Sequence, residues 1–101
     1  MLIDKPIAKN DVVTIKLLSG EELIATYVNE ENGKYNVDKP VQLVSVPGDN
    51  GQMGVQFHPY LVTSASTSFG INTALVVTLC PSSDQVAKMY LEQTTSIQLA
   101  T

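Results

Sequence analysis

The sequence predicts a mostly-β fold: about five strands wrapped into a small, strongly bent barrel, followed by one C-terminal α-helix. Three features predict it. From Asp11 onward, apolar residues alternate with polar ones at the two-residue period of strands. Asn32-Gly33 stands between two such stretches, and this dipeptide favours a hairpin because both residues tolerate the positive φ of a type I′ turn. The period becomes helical only after Pro81.

Residues 1–10, with Pro6 in their middle, read as an extended lead-in. The first strand, 11–18, places Val13, Ile15 and Leu17 on one face and Thr14 and Lys16 on the other. Ser19-Gly20 turns the chain, Gly20 supplying the backbone freedom of a tight reversal. The second strand, 22–30, sets Leu23, Ala25 and Tyr27 against Ile24, Thr26 and Val28; apolar residues on both faces predict a central place in the sheet. The third, 34–46, begins with Tyr35 and Val37 opposite Asn36 and Asp38. Pro40 cannot donate to a ladder, so the strand bends or bulges there, and a change of phase after Leu43 predicts a second bulge. A long strand that bends midway is what a small barrel needs at its corner.

Pro47 to Gly51 is a loop. The fourth strand, 52–58, alternates Met53, Val55 and Phe57 with Gly54, Gln56 and His58, and Tyr60-Leu61-Val62 offers a continuation past Pro59. Thr63 to Ser68 is a Ser/Thr/Ala run that reads as loop. The fifth strand, 73–80, contains the β-branched apolar run from Ala74 to Cys80 and reads as fully buried. Ser82 with Gln85 fits a capping box, and Asp84 suits the positive end of the helix dipole. The helix is predicted over 83–94, with Val86, Met89 and Tyr90 laid on the barrel. Ile97 and Leu99, alternating with Gln98, read as a short edge strand. No repeat or linker interrupts the chain, so residues 1–101 form one domain.

Composition narrows the function classes. Hydrophobic residues make up 44% and charged residues 16%, an ordinary globular balance. No apolar run reaches the length of a signal peptide or a membrane span, and a single cysteine cannot form an intrachain disulfide. A cytoplasmic protein in a reducing interior, with no membrane partner, is expected. Six lysines and no arginine face ten carboxylates, for a net charge of −4. Without arginine's bidentate fork and with a repelling overall field, nonspecific polyanion binding is disfavoured.

Nothing in the residues assembles an enzyme. His58 has no nucleophile placed near it by the sequence and reads as a surface histidine. Cys80 precedes a helix N-terminus that could favour its thiolate, yet an inert buried cysteine is the better reading. Glu21-Glu22 and Glu30-Glu31 flank turns and read as solvated charges. No spacing matches a zinc site, a calcium loop, a phosphate-binding loop or a dinucleotide fingerprint, so neither metal nor cofactor is expected. Tyr35, Tyr60 and Phe69 sit at strand ends, where an aromatic ring can stack on an unpaired base or pack over the open end of the barrel.

The stretch Val13-x-Ile15-x-Leu17-x-x-Gly20-x-x-Leu23-x-Ala25-x-Tyr27 resembles the first motif of the Sm and Sm-like proteins, and Phe69-Gly70-Ile71-Asn72 resembles the glycine-centred loop of their second motif. Leu-Leu-Ser-Gly-Glu-Glu at 17–22, Lys-Pro-Val at 39–41 and a tyrosine-bearing C-terminal helix are also similar to a phage-encoded Sm-like group, which implies an infected bacterial host. The resemblance implies an open five-stranded barrel that assembles into a homo-oligomeric ring of roughly five to seven subunits, fourth strand to fifth. It also implies RNA or single-stranded DNA at the pore, held by the loops after the second and fourth strands. Carried onto this sequence, that site comprises Asn29, Lys34, Tyr35, Asn36, Phe69 and Asn72. Two departures stand out: Phe69 occupies the family's basic position, and the helix follows the last strand where the family has one before the first. A structural or adaptor ring that binds protein through the helix and the 60–72 loop is the alternative.

Overall fold

The computed structural model describes residues 6–61 and 66–100, with helix side chains described as far as Thr94. The elements are β1 (Val12–Leu17), β2 (Glu22–Glu31), β3 (Lys34–Pro47), β4 (Met53–Pro59), β5 (Ser68–Asn72), β6 (Val76–Pro81) and α1 (Asp84–Ala100), with 3₁₀ turns at Asp49–Gly51 and Thr73–Leu75. They form one antiparallel sheet in the order β4-β3-β2-β1-β6, and β5 also pairs with β3. The sheet bends and does not close. β2 is central, as apolar residues on both its faces predict.

The alternation in β1 builds the core. Val13, Ile15 and Leu17 are buried with Leu23, Ala25, Val37 and Ile71 in one cluster, edged by the half-buried Ile7, Tyr27, Tyr60, Val76 and Leu79. Burial of each of the larger aliphatic side chains contributes about 1.5–3 kcal/mol. The turns obey their sequence. Asn32 and Gly33 have φ of 56° and 74°, the paired positive values of a type I′ hairpin, and Glu31 pairs with Lys34 across it. Gly20 has φ of 102° in the β1–β2 turn.

β3 bulges where Pro40 requires it. Ile24 pairs with Val41 but Thr26 pairs with Asp38, and Lys39 takes φ of 52° within the extra residue's span. The second bulge expected after Leu43 is not formed, because β3 and β4 pair without interruption from Val41–Pro59 to Pro47–Met53. A bulge that the sequence does not signal lies in β2, between Tyr27 and Asn29.

The fourth strand ends at Pro59, as its sequence reads, and Tyr60 and Leu61 do not extend it. Ser68–Asn72, read from sequence as loop, is instead β5, and it continues along the other half of β3, from Asp38–Ser68 to Lys34–Asn72. β4 and β5 are thus two halves of one lane beside β3, parted by residues 60–67 where β3 bulges. Lys39 N–H donates to the Thr67 carbonyl at 2.6 Å at that bend. The expectations for residues 1–5 and 62–65 lie outside the described residues.

The last strand and the helix are also corrected. β6 begins at Val76, after the Thr73–Leu75 turn, and is not fully buried: Val77 is 58% exposed. Ser83, not Ser82, caps α1, its Oγ accepting from Val86 N–H at 3.3 Å, while Ser82 Oγ is bonded to Thr14 Oγ1 at 2.8 Å. The capping box with Gln85 is therefore absent. α1 continues to Ala100, so the tail read as an edge strand is helical.

Tyr90 seats the helix on the sheet. Its side chain is fully buried, and its hydroxyl donates toward the carbonyls of Lys39 at 2.9 Å and Asp38 at 3.2 Å and lies 3.1 Å from Thr26 Oγ1. The helix thus supplies a donor to the carbonyls of the two residues that precede Pro40 at the bulge. Burial, aided by the charge of Asp38 and opposed by the Thr26 hydrogen bonds, raises the Tyr90 hydroxyl above its ordinary pKa of 10.0. Tyr27 moves the same way, through burial and then the nearby Glu30 and Tyr35. A folded tyrosine that keeps its proton where the unfolded chain loses it makes stability full below about pH 10 and decreasing as pH rises past it. Urea titrations across this range should show that loss, and Tyr90→Phe should flatten it; a wild-type stability flat to pH 11 would contradict the account.

Candidate functional site

The β2–β3 and β5–β6 connections come together at one end of the sheet. Thr73 N–H donates to the Gly33 carbonyl at 2.9 Å, and Asn72 Oδ1 accepts from Ala74 N–H at 2.9 Å, fixing the 3₁₀ turn. Lys34 pairs with Asn72 across β3 and β5. Asn29 and Asn36 pair across β2 and β3, and Asn36 Nδ2 donates to Asn29 Oδ1 at 2.7 Å. Four of the six residues expected from sequence, Asn29, Lys34, Asn36 and Asn72, therefore share the outer face of one sheet corner.

The two aromatic candidates sit differently. Tyr35 pairs with Ile71 and Phe69 with Val37, on the face that carries the core, and both rings are half-buried. Phe69 lies in β5 rather than in a loop, because Ser68–Asn72 completes the ladder on β3. It meets Tyr60 edge-on, with centroids 5.8 Å apart and ring planes at 82°. This contact closes the barrel interior where the lane beside β3 is interrupted.

Sequence reading misses three residues of the outer face. Asp38 pairs with Ser68, whose Oγ donates to Asp38 Oδ1 at 2.6 Å, and Gly70 pairs with Asn36 between them. Gly70 forms the floor of a shallow depression of about 280 Å³ walled by Val28, Asn36, Asp38 and Ser68. Gly70 is the glycine of the second-motif resemblance, but only the β3–β5 register joins it to Asp38 and Ser68, which no local motif announces.

A second feature is the state of the sheet's edges. Among the described residues, β4 and β6 each pair with one neighbour, leaving an open side. Met53 is 67% and Val55 43% exposed on β4, while Leu75 is 53% and Leu18 65% exposed beside Val77 at the β6 edge. Leu18 N–H donates to the Leu75 carbonyl at 2.8 Å, which holds those two side chains' backbones together. Large apolar residues on open edges favour pairing with another chain.

His58 is on β4 and Cys80 on β6, at opposite ends of the strand order, so they share no site. His58 Nε2 lies 3.2 Å from Gln56 Oε1, and Cys80 is half-buried opposite Thr14. Among the described residues, no three His, Cys, Asp or Glu side chains lie together as a metal site would require, and no helix is long and apolar enough to cross a membrane. In comparisons with known proteins, the family model described as Sm_like domain matches residues 14–91. No curated protein matches the chain.

Proposed function

This chain belongs to the Sm-like family, and from that premise we propose that it assembles into a homo-oligomeric ring that holds single-stranded nucleic acid weakly at the corner formed by the β2–β3 and β5–β6 connections. The observation that carries the reading is the pair of open edges. Met53 and Val55 on β4 and Leu75 and Val77 in and just before β6 are exposed in a single chain. Packing the β4/β5 edge of one subunit against β6 of the next covers both patches, and repetition of that head-to-tail contact closes a ring. Rings that bind RNA are general in this family, and the corner bearing Asn29, Lys34, Asn36 and Asn72 is where this chain would present polar groups to a strand.

Lys34 is the one cation at that corner, with Glu30 and Glu31 beside it, so the phosphate contribution to affinity is small. Oligonucleotide binding should be measurable only at low salt. Lys34→Ala should weaken all sequences about equally and lower the slope of log K against log salt by about 1 for each subunit whose lysine meets a phosphate. If U-rich, A-rich and single-stranded DNA oligomers all fail to bind at low salt, the nucleic-acid reading is wrong. The acidic balance then favours a ring that binds protein, with the exposed side of α1 around Leu91 as its contact surface.

A further inference from the structure

The outer face of β3 carries Lys34, Asn36 and Asp38 at alternate positions, a cation, an amide and a carboxylate in a row. Four residues of strand rise place the ends of the row about 13 Å apart, comparable to one nucleotide from phosphate to base edge. The parallel row on β5 is Asn72, Gly70 and Ser68. Gly70 keeps the middle open: a Cβ there would lie 3.0 Å from Lys34 Cδ and 3.1 Å from Asn36 Oδ1. The floor is therefore bare backbone, flanked by the aliphatic stem of Lys34 and the Asn36 amide.

The polar groups in the depression are oriented. Asn36 Nδ2 is engaged by Asn29 Oδ1, which turns Asn36 Oδ1 toward Gly70. Asp38 Oδ1 accepts from Ser68 Oγ, and the carboxylate retains further acceptor capacity. The side-chain atoms turned toward Gly70 and the far end of the row are thus Asn36 Oδ1 and the Asp38 carboxylate, both acceptors. Val28 supplies an apolar wall.

We propose that this row is a single-nucleotide subsite, with phosphate toward Lys34 and a base bearing an exocyclic amine toward Asn36 Oδ1 and Asp38. The inference rests on the nucleic-acid reading above and adds base preference to it. Adenine, cytosine and guanine offer an amine to paired acceptors. Uracil offers one imino hydrogen between two carbonyl oxygens, which would face Asn36 and Asp38 unfavourably. A hydrogen-bond match of this kind discriminates by roughly tenfold or more.

The test is fluorescence anisotropy at low salt with labelled oligo(A), oligo(C) and oligo(U) and the full chain. The expected result is oligo(A) and oligo(C) binding about tenfold tighter than oligo(U). Asp38→Asn, which substitutes a donor for an acceptor at nearly constant shape, should bring the three affinities to within about threefold. Gly70→Ala, checked for folding by circular dichroism, should weaken oligo(A) and oligo(C) and reduce their advantage. Equal binding of all three by the wild type, or a preference that Asp38→Asn leaves unchanged, overturns the subsite while sparing the ring and its nucleic-acid role. Failure of every oligomer to bind removes the nucleic-acid reading and the subsite together.

Discussion

Val77→Lys should convert the assembly to single chains. Val77 is 58% exposed on β6, where it is the extra residue between the Lys16–Thr78 and Leu17–Val76 pairs, and Leu75 nearby is 53% exposed. Covering such a side chain contributes about 1.5–3 kcal/mol, and a lysine at that edge adds the cost of removing an ammonium from water. Lysine on an edge strand is also a common natural device against strand pairing. A loss of about 3 kcal/mol is roughly a hundredfold at each contact, and the substitution is repeated at every interface of a ring. Sedimentation velocity should therefore show one-chain particles for Val77→Lys. Leu91→Lys, at a half-exposed position of α1 away from either edge, should leave the wild-type pattern unchanged. Persistence of the oligomer in Val77→Lys would mean that β6 is not the contact.

Tyr90→Ala should have the largest effect on folding, a loss of about 3–5 kcal/mol, as for other large aromatic truncations in a core. Two separable terms make it up. The ring fills the space between α1 and the sheet at zero exposure. The hydroxyl serves the carbonyls of Asp38 and Lys39 at the bulge. Tyr90→Phe isolates the second term and should cost about 1–3 kcal/mol, the range for leaving buried polar groups without a partner. Urea denaturation should be performed in the Val77→Lys background, where unfolding is uncoupled from dissociation. If Tyr90→Phe and Tyr90→Ala cost the same, the hydroxyl rather than the ring dominates, and the packing account of α1 fails.

Tyr90 was legible in the sequence as a core-facing helix residue, because Val86, Met89 and Tyr90 recur at helical spacing. Its role at the bulge was not, since that depends on Lys39 and Asp38, some fifty residues earlier. The same division runs through the fold. Val13, Ile15 and Leu17 announce β1 by strict alternation, and Asn32-Gly33 announces its hairpin by chemistry that few other dipeptides share. β5 is silent because Phe69 and Ile71 are its only apolar residues, set in a Ser/Thr/Ala-rich stretch with Gly70 between them. Only pairing with Lys34 to Asp38 makes it a strand. Ser82 and Ser83 are equally good caps locally, and the hydrogen bond between Thr14 and Ser82 decides between them.

The run from Ala74 to Cys80 holds a different lesson. Apolar residues on both faces of a strand indicate that both faces become covered, but not by which chain. Read as burial within one subunit, the pattern fails at Val77; read as a strand edge awaiting a neighbour, it agrees with the exposed Met53 and Val55 on the opposite edge. The outer-face residues follow the same logic. Asn29, Lys34, Asn36 and Asn72 could be anticipated from family resemblance, whereas Asp38, Ser68 and Gly70 join them only through the β3–β5 register.

If the open edges of one chain pair with those of the next, the mass of the purified wild-type protein in solution shows it. Light scattering coupled to size exclusion should give a single species of several chains, each of 10.9 kDa, that does not dissociate on moderate dilution. A stable particle of one chain's mass would contradict the ring and with it the reading of β6.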